Sequence, residues 1–129
     1  MRIVGIGVDA TEIERVKEMC EKHPESFLER VYTPLEREYC VARKKGMAES
    51  LAARWAAKEA VMKALGVGWS HGVKWTDIEV QTNFSGAPSL NVKGRAQEIA
   101  RELGIRDWKI SLTHSRTEAI AFVVASGDE

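Results

Sequence analysis

The stretch Ala53-Arg54-Trp55-Ala56-Ala57-Lys58-Glu59-Ala60-Val61-Met62-Lys63-Ala64-Leu65 is the strongest helix former in the chain, because Ala, Leu and Met lose least on entering a helix. At roughly 100° per residue, Leu51, Trp55, Lys58, Met62 and Leu65 fall within a stripe of about 80°. Glu59 and Lys63 run along its edge, one helical step apart. Lys58 therefore sits in the middle of the apolar face. An unpaired buried ammonium is costly, so this lysine must find an anion, lose its proton or face a ligand. The plain alternative is a lysine that snorkels past Trp55 beside an ordinary Glu59/Lys63 surface pair.

With 129 residues the chain makes one domain, residues 1–129, long enough to bury a core and short for a fold with a separate substrate domain. The expectation is one layer of helices on one sheet, with room for neighbouring subunits to complete it. A formal net charge of +0 argues against a nucleic-acid protein held by bulk electrostatics. The basic residues Arg15, Lys17, Lys22, Arg30, Arg37, Arg43, Lys44 and Lys45 are interleaved with acids, the pattern of a solvated helix face. No stretch has the length and apolarity of a membrane span, and the amino terminus lacks the apolar run and cleavage site of a signal peptide. Cytoplasmic residence without membrane contact is the expectation. Cys20 and Cys40 form no Cys-x-x-Cys pair and read as reduced thiols.

Upstream of the helix, Arg2-Ile-Val-Gly-Ile-Gly-Val-Asp9 reads as a buried strand with Val4, Ile6 and Val8 on one face and Ile3, Gly5, Gly7 and Asp9 on the other. Two glycines strip the Asp9 face of side chains. Either a ligand comes close there, or a helix packs tightly on Gly5 and Gly7 while Asp9 caps the helix that follows. Helices are expected over 11–22, 25–30 and, opened by the capping box Thr33-Pro34-Leu35-Glu36, to about Arg43. The long helix then spans about Glu49 to Leu65, with Gly66 as its stop. Beyond the glycine-rich loop around Trp69-Ser70-His71 the period changes. Strands are expected over 76–82 and 89–92, a helix over 94–103, and an antiparallel pair over 109–114 and 119–125. Ile110, Leu112 and His114 share one face of that pair; a histidine there can equally be a strand-end residue satisfied by a carbonyl.

Asp9 at a strand end and Glu59 on a helix edge supply two hard oxygen ligands without a cysteine or histidine cluster. So few carboxylates suit Mg²⁺, which keeps several waters and takes further ligands from substrate phosphates. Lys58, Lys63 and His114 are the candidates to neutralise phosphate oxygens the metal leaves uncovered. The set suggests phosphoryl-type transfer from a diphosphate, in which catalysis is positioning and charge stabilisation. No Gly-x-x-x-x-Gly-Lys-[Ser/Thr] segment is present, so this is not a P-loop protein.

The run Trp55-Ala-Ala-Lys58-Glu59-Ala60-Val-Met-Lys63, preceded by Gly-Ile-Gly-Val-Asp9 and followed by Ser111-Leu-Thr-His114-Ser, resembles the small phosphopantetheinyl transferases, and within them the holo-[acyl-carrier-protein] synthase group. Phe27, Arg30, Thr33, Glu36, Asp77-Ile78-Glu79-Val80 and Gly86-Ala-Pro88 follow the same pattern, so the likeness runs from about Ile3 to Val124.

The resemblance implies an α+β fold with an antiparallel sheet against a long helix, in a homotrimer whose coenzyme A clefts lie between subunits. It implies transfer of the 4'-phosphopantetheine arm of coenzyme A to a serine of an apo acyl carrier protein, in support of fatty acid biosynthesis. Asp9 and Glu59 would bind Mg²⁺, Lys63 would contact the phosphates, and His114 would approach them from the next chain. Lys58 would contact a phosphate or pair structurally with Asp9. Larger relatives carry a further carboxylate at the position of Thr11, so here water would complete the metal shell. Glu59, directly or through a metal-bound water, is the expected base, and Arg15 and Lys22 the expected carrier contacts. Two other readings stay open: an Mg²⁺-dependent diphosphate hydrolase using the same residues, and a non-catalytic module that binds an acidic helical partner.

Overall fold

The chain runs β1 (Arg2–Glu12), α1 (Ile13–Lys22), α2 (Pro24–Val31), α3 (Pro34–Ala42), α4 (Met47–Leu65), β2 (Ile78–Thr82), β3 (Pro88–Val92), α5 (Gly94–Glu102), β4 (Asp107–His114) and β5 (Glu118–Gly127), with short 3₁₀ turns at Lys44–Gly46, Trp69–His71 and Trp75–Asp77. This computed structural model describes residues 1–129; only the side chain of Trp69, and with it that part of the Trp69-Ser70-His71 loop, lies outside the described residues. β1, β5 and β4 form an antiparallel sheet in the order β1-β5-β4, and β2 and β3 form a separate hairpin beside β4. The α+β architecture expected from the sequence is present.

Gly5 and Gly7 decide how α4 meets the sheet. A Cβ on Gly7 would run into the Ala60 carbonyl oxygen, and one on Gly5 into that of Ala64. Two strand residues advance about 6.8 Å and four helical residues about 6.0 Å, so the glycines keep step with successive helical turns. Of the two explanations for a bare strand face, close backbone packing is therefore the one realised at these positions. Ala121, Val123 and Ala125 of β5 continue the same small-residue floor, all fully buried.

Two expectations for β1 need correction. Asp9 caps no helix: the strand continues to Glu12, and α1 starts at Ile13 without any side-chain cap. Nor is the strand buried on both faces. A bulge between Ile3 and Gly5 turns Val4 inward against the core, while Ile6 and Val8 stay 60% and 53% exposed and Phe122 of β5 lies 44% exposed beside Val8. The sheet thus presents an uncovered apolar outer face.

The long helix differs from an amphipathic stripe. Residues on nearly every side of it are buried, from Leu51, Arg54 and Trp55 to Lys58, Val61 and Leu65. Ala56, Ala57, Ala60 and Ala64 join the core against the sheet, and its other side meets a second core built from Val16, Phe27, Val31, Tyr32 and Cys40 of α1, α2 and α3. A helix apolar all round belongs in the middle of a domain. Glu59 and exposed Lys63 lie where the surrounding layers part. Gly66, at φ 72° in the left-handed region, ends the helix as its composition predicts.

Candidate active site

The opening beside α4 brings together residues that are distant in sequence. β1 carries Asp9 past the flank of the helix, where Lys63 Nζ donates to Asp9 Oδ1 at 2.8 Å and to the Val8 carbonyl at 3.0 Å. Asp9 is 13% exposed, whereas Lys63 is 56% exposed. The bond from Asp9 and its charge raise the Lys63 pKa. Glu59, one turn earlier on α4, has its carboxyl beside that of Asp9. Burial pushes the Glu59 pKa up to about 7, helped by the adjoining Asp9 carboxyl and opposed by Arg15 and Lys63. Two carboxyls side by side cannot both ionise cheaply, so Glu59 keeps its proton up to near neutrality until a cation takes its place.

Those donors fit a small hard cation. They are two oxygen-bearing groups in contact, partly open to solvent, one of them holding a proton near neutrality, and an Mg²⁺ ion needs no more from protein. Among the described residues no set of three or more His, Cys, Asp or Glu forms a fuller metal cluster.

Trp75 joins this opening to two others. Its side chain walls the recess of Glu59, Met62 and Lys63. It also borders a cavity of about 400 Å³ lined by Arg15, Met19, Phe27, Arg30 and Trp55, and one of about 560 Å³ lined by Arg30, Val73 and Lys74. The acid pair is therefore followed by two recesses that mix aromatic walls with cations, a surface suited to an anionic, partly apolar ligand.

Other expected site residues stand elsewhere. Lys58 does not meet a phosphate and does not pair with Asp9. It is fully buried, and its Nζ donates to Glu36 Oε1 at 2.7 Å, to the Trp75 carbonyl at 3.1 Å and to the Ile78 carbonyl. Three internal acceptors satisfy all three ammonium protons, which removes Lys58 from the ligand-binding set. His114 is exposed at the end of β4, its Nδ1 3.3 Å from the Ser115 carbonyl oxygen. In the sheet it lies two strands across from Thr11, through Ala119, so one chain does not bring it to Asp9 and Glu59. Arg15 lies with its guanidinium over the Trp55 ring, 5.1 Å from the centroid, rather than pointing freely from α1. Lys22 is exposed at the end of α1 on nearly the same stripe as Arg15, seven residues on.

One residue escaped the sequence reading. Arg54 is 4% exposed, yet its guanidinium donates only to neutral hydroxyls, Ser50 Oγ and Thr82 Oγ1, each at 3.0 Å, and its buried Nε has no partner. It stacks 4.3 Å over the Tyr39 ring and borders a cavity of about 500 Å³ with Leu35 and Thr82. A buried cation held by hydroxyls and an aromatic face, with no acid beside it, keeps its charge unneutralised within the chain. The signal was legible: eleven residues before Leu65, Arg54 falls within about 20° of it on the helical wheel.

A family model described as the 4'-phosphopantetheinyl transferase superfamily matches residues 5–123. The chain belongs to this superfamily. The holo-[acyl-carrier-protein] synthase of Solibacter usitatus is 44% identical to it over 122 residues, 95% of this chain and 97% of that protein. Among solved structures, the acyl carrier protein synthase of Plasmodium yoelii with ADP bound superposes with a TM-score of 0.88 at 30% identity, covering 98% of this chain and 97% of that one. The Bacillus anthracis holo-(acyl-carrier-protein) synthase in complex with CoA (3',5'-ADP) superposes with a TM-score of 0.81 at 34% identity, covering 99% and 100%. The protein is a phosphopantetheinyl transferase.

Proposed function

We propose that this chain moves the 4'-phosphopantetheine arm of coenzyme A onto a serine of an apo acyl carrier protein and releases adenosine 3',5'-bisphosphate. The observation that carries the reading is the contact between Asp9 and Glu59, with Lys63 on their flank and cationic recesses beyond Trp75. Relatives with this name and with coenzyme A bound support the substrate pair. Carrier loading of this kind serves fatty acid biosynthesis, and two free cysteines suit a reducing cytoplasm.

Asp9 and Glu59 would hold Mg²⁺ with the coenzyme A diphosphate, where the ion supplies charge neutralisation for the phosphorus under attack. Lys63, fixed by Asp9, offers an ammonium to the same oxygens. The carrier serine oxygen forms a bond to the pantetheine-bearing phosphorus as the bond to the bridging oxygen breaks, and the bisphosphate leaves with the electron pair. The serine proton goes to Glu59, directly or through an intervening water. Arg15 and Lys22 share a stripe of α1 beside the aromatic recess, which supports docking of an acidic carrier there.

The apolar outer face of Ile6, Val8 and Phe122 supports a homotrimer in which this face is covered by other copies. Arg54 lies about 140° around α4 from Glu59, away from its own acid pair, so in such a trimer it and His114 would meet the phosphates of a neighbour's substrate. Mixing inactive Glu59→Gln and His114→Ala chains should then restore activity that neither has alone. The transfer itself is read by mass: apo carrier incubated with the chain, coenzyme A and Mg²⁺ gains one phosphopantetheine arm, and a chelator abolishes the gain. Bisphosphate release without carrier would instead support the hydrolase reading.

A further inference from the structure

Lys58 and Glu36 are 0% and 1% exposed, an ion pair enclosed on all sides. By stability alone such a pair does little that apolar side chains of like volume do not. What it does here is hold backbone. Glu36 Oε2 accepts from the Val80 amide at 2.8 Å and Oε1 from the Thr33 amide at 3.0 Å, while Lys58 holds the carbonyls of Trp75 and Ile78. One ammonium group thus ties the 3₁₀ turn Trp75–Asp77 by hydrogen bond to the middle of α4, while the Lys93 amide holds its far end through the Asp77 carbonyl at 2.8 Å. At its head is Trp75, whose ring meets Trp55 edge-on at 6.3 Å and separates the Glu59 recess from the two cationic recesses.

We propose that Lys58 is a positioning residue: through the Trp75 carbonyl it sets the indole wall beside Glu59, and so sets the affinity for coenzyme A. Lys58 touches no substrate. It sits next to Glu59 in sequence but about 100° around the helix, and it acts through the turn that faces the ligand. The inference rests on the transferase reading above, and a wild-type chain that loads no carrier would sink that reading rather than this one.

The test uses three full-length variants assayed for carrier loading well below their melting temperatures. Lys58→Met/Glu36→Gln removes both charges together and keeps a carbonyl for the Val80 amide; Trp75→Ala removes the wall; the triple variant combines them. The expected result is a rise of about tenfold in KM for coenzyme A in the first variant with kcat nearly unchanged, a similar rise in Trp75→Ala, and no further rise in the triple variant. Two kinetic results overturn the proposal: multiplied effects in the triple variant, or a loss confined to kcat in the first. Unchanged KM in Trp75→Ala also overturns it, and that measurement stands even where the charge-removed variant fails to fold.

Discussion

Lys58 and Glu59 are adjacent on α4 and solve opposite electrostatic problems. Lys58 points into the domain and finds a carboxylate and two carbonyls already in place, so its charge is consumed internally. Glu59 points into the opening and finds another acid, so the folded chain carries an anionic pair in want of a cation. One residue step, a rotation of about 100°, separates a closed network from an open one. The comparison shows where function resides in this fold: in the group whose protein partner is the wrong sign.

Substitutions at the two positions should therefore separate activity from stability. Glu59→Gln keeps the shape, removes a base and a cation ligand, and is expected to cut carrier loading by about 10³ to 10⁴. Because it also ends the contact between two acids, urea denaturation should show stability unchanged or raised. Lys58→Ala should do the reverse in kind: it leaves the Glu36 carboxylate enclosed without a counter-charge, which costs about 3–5 kcal/mol. A Lys58→Ala chain as stable as the wild type, or a Glu59→Gln chain that loads carrier normally, would break the comparison.

The sequence showed Lys58 on a buried face and stated its need for an anion, but not which one. Its partner, Glu36, was visible only as the third residue of a capping box, and the box is present, with the Thr33 hydroxyl 3.3 Å from the Glu36 amide. Nothing in helical periodicity says that the same carboxylate also reaches a residue 22 positions on. Asp9 and Glu59 were paired in the reading by their hard oxygens and by family resemblance; the step-for-step seating of Gly5 and Gly7 on α4 is the physical reason they meet. Element types were legible nearly throughout, because the change from helical to alternating period after Gly72 is clear in the residues themselves. The bulge that turns Val4 inward was not, since a one-residue slip in register leaves no mark on composition.

Arg54 extends the comparison to a third state, a buried cation with hydroxyls for partners and no acid. If its guanidinium awaits a phosphate, Arg54→Met should raise the KM for coenzyme A by about tenfold, the loss of one charge-assisted contact. Stability should hold or improve, because an enclosed charge with an unpaired Nε is removed. Titration calorimetry with coenzyme A reads the first effect and thermal melting the second. Unchanged affinity would leave Arg54 as a brace for α3 and the β2 strand end.

The smallest effect is the pH dependence that the open pair imposes and the closed pair does not. Burial and Asp9 raise the Glu59 pKa from 4.5 to about 7, so between those values the folded chain holds a proton that the unfolded chain has released. Stability in the presence of a chelator must then be fullest below the unfolded value and decline as pH rises through the folded one. A cation bound by the same carboxyls competes with that proton, so Mg²⁺ should bind more tightly as pH rises through about 7 and the stability it adds should grow in the same interval. Urea denaturation on both sides of neutrality, with chelator and with Mg²⁺, measures the two opposed slopes. Both should vanish in Glu59→Gln, and a chelator slope that persists in that variant would place the titrating group elsewhere.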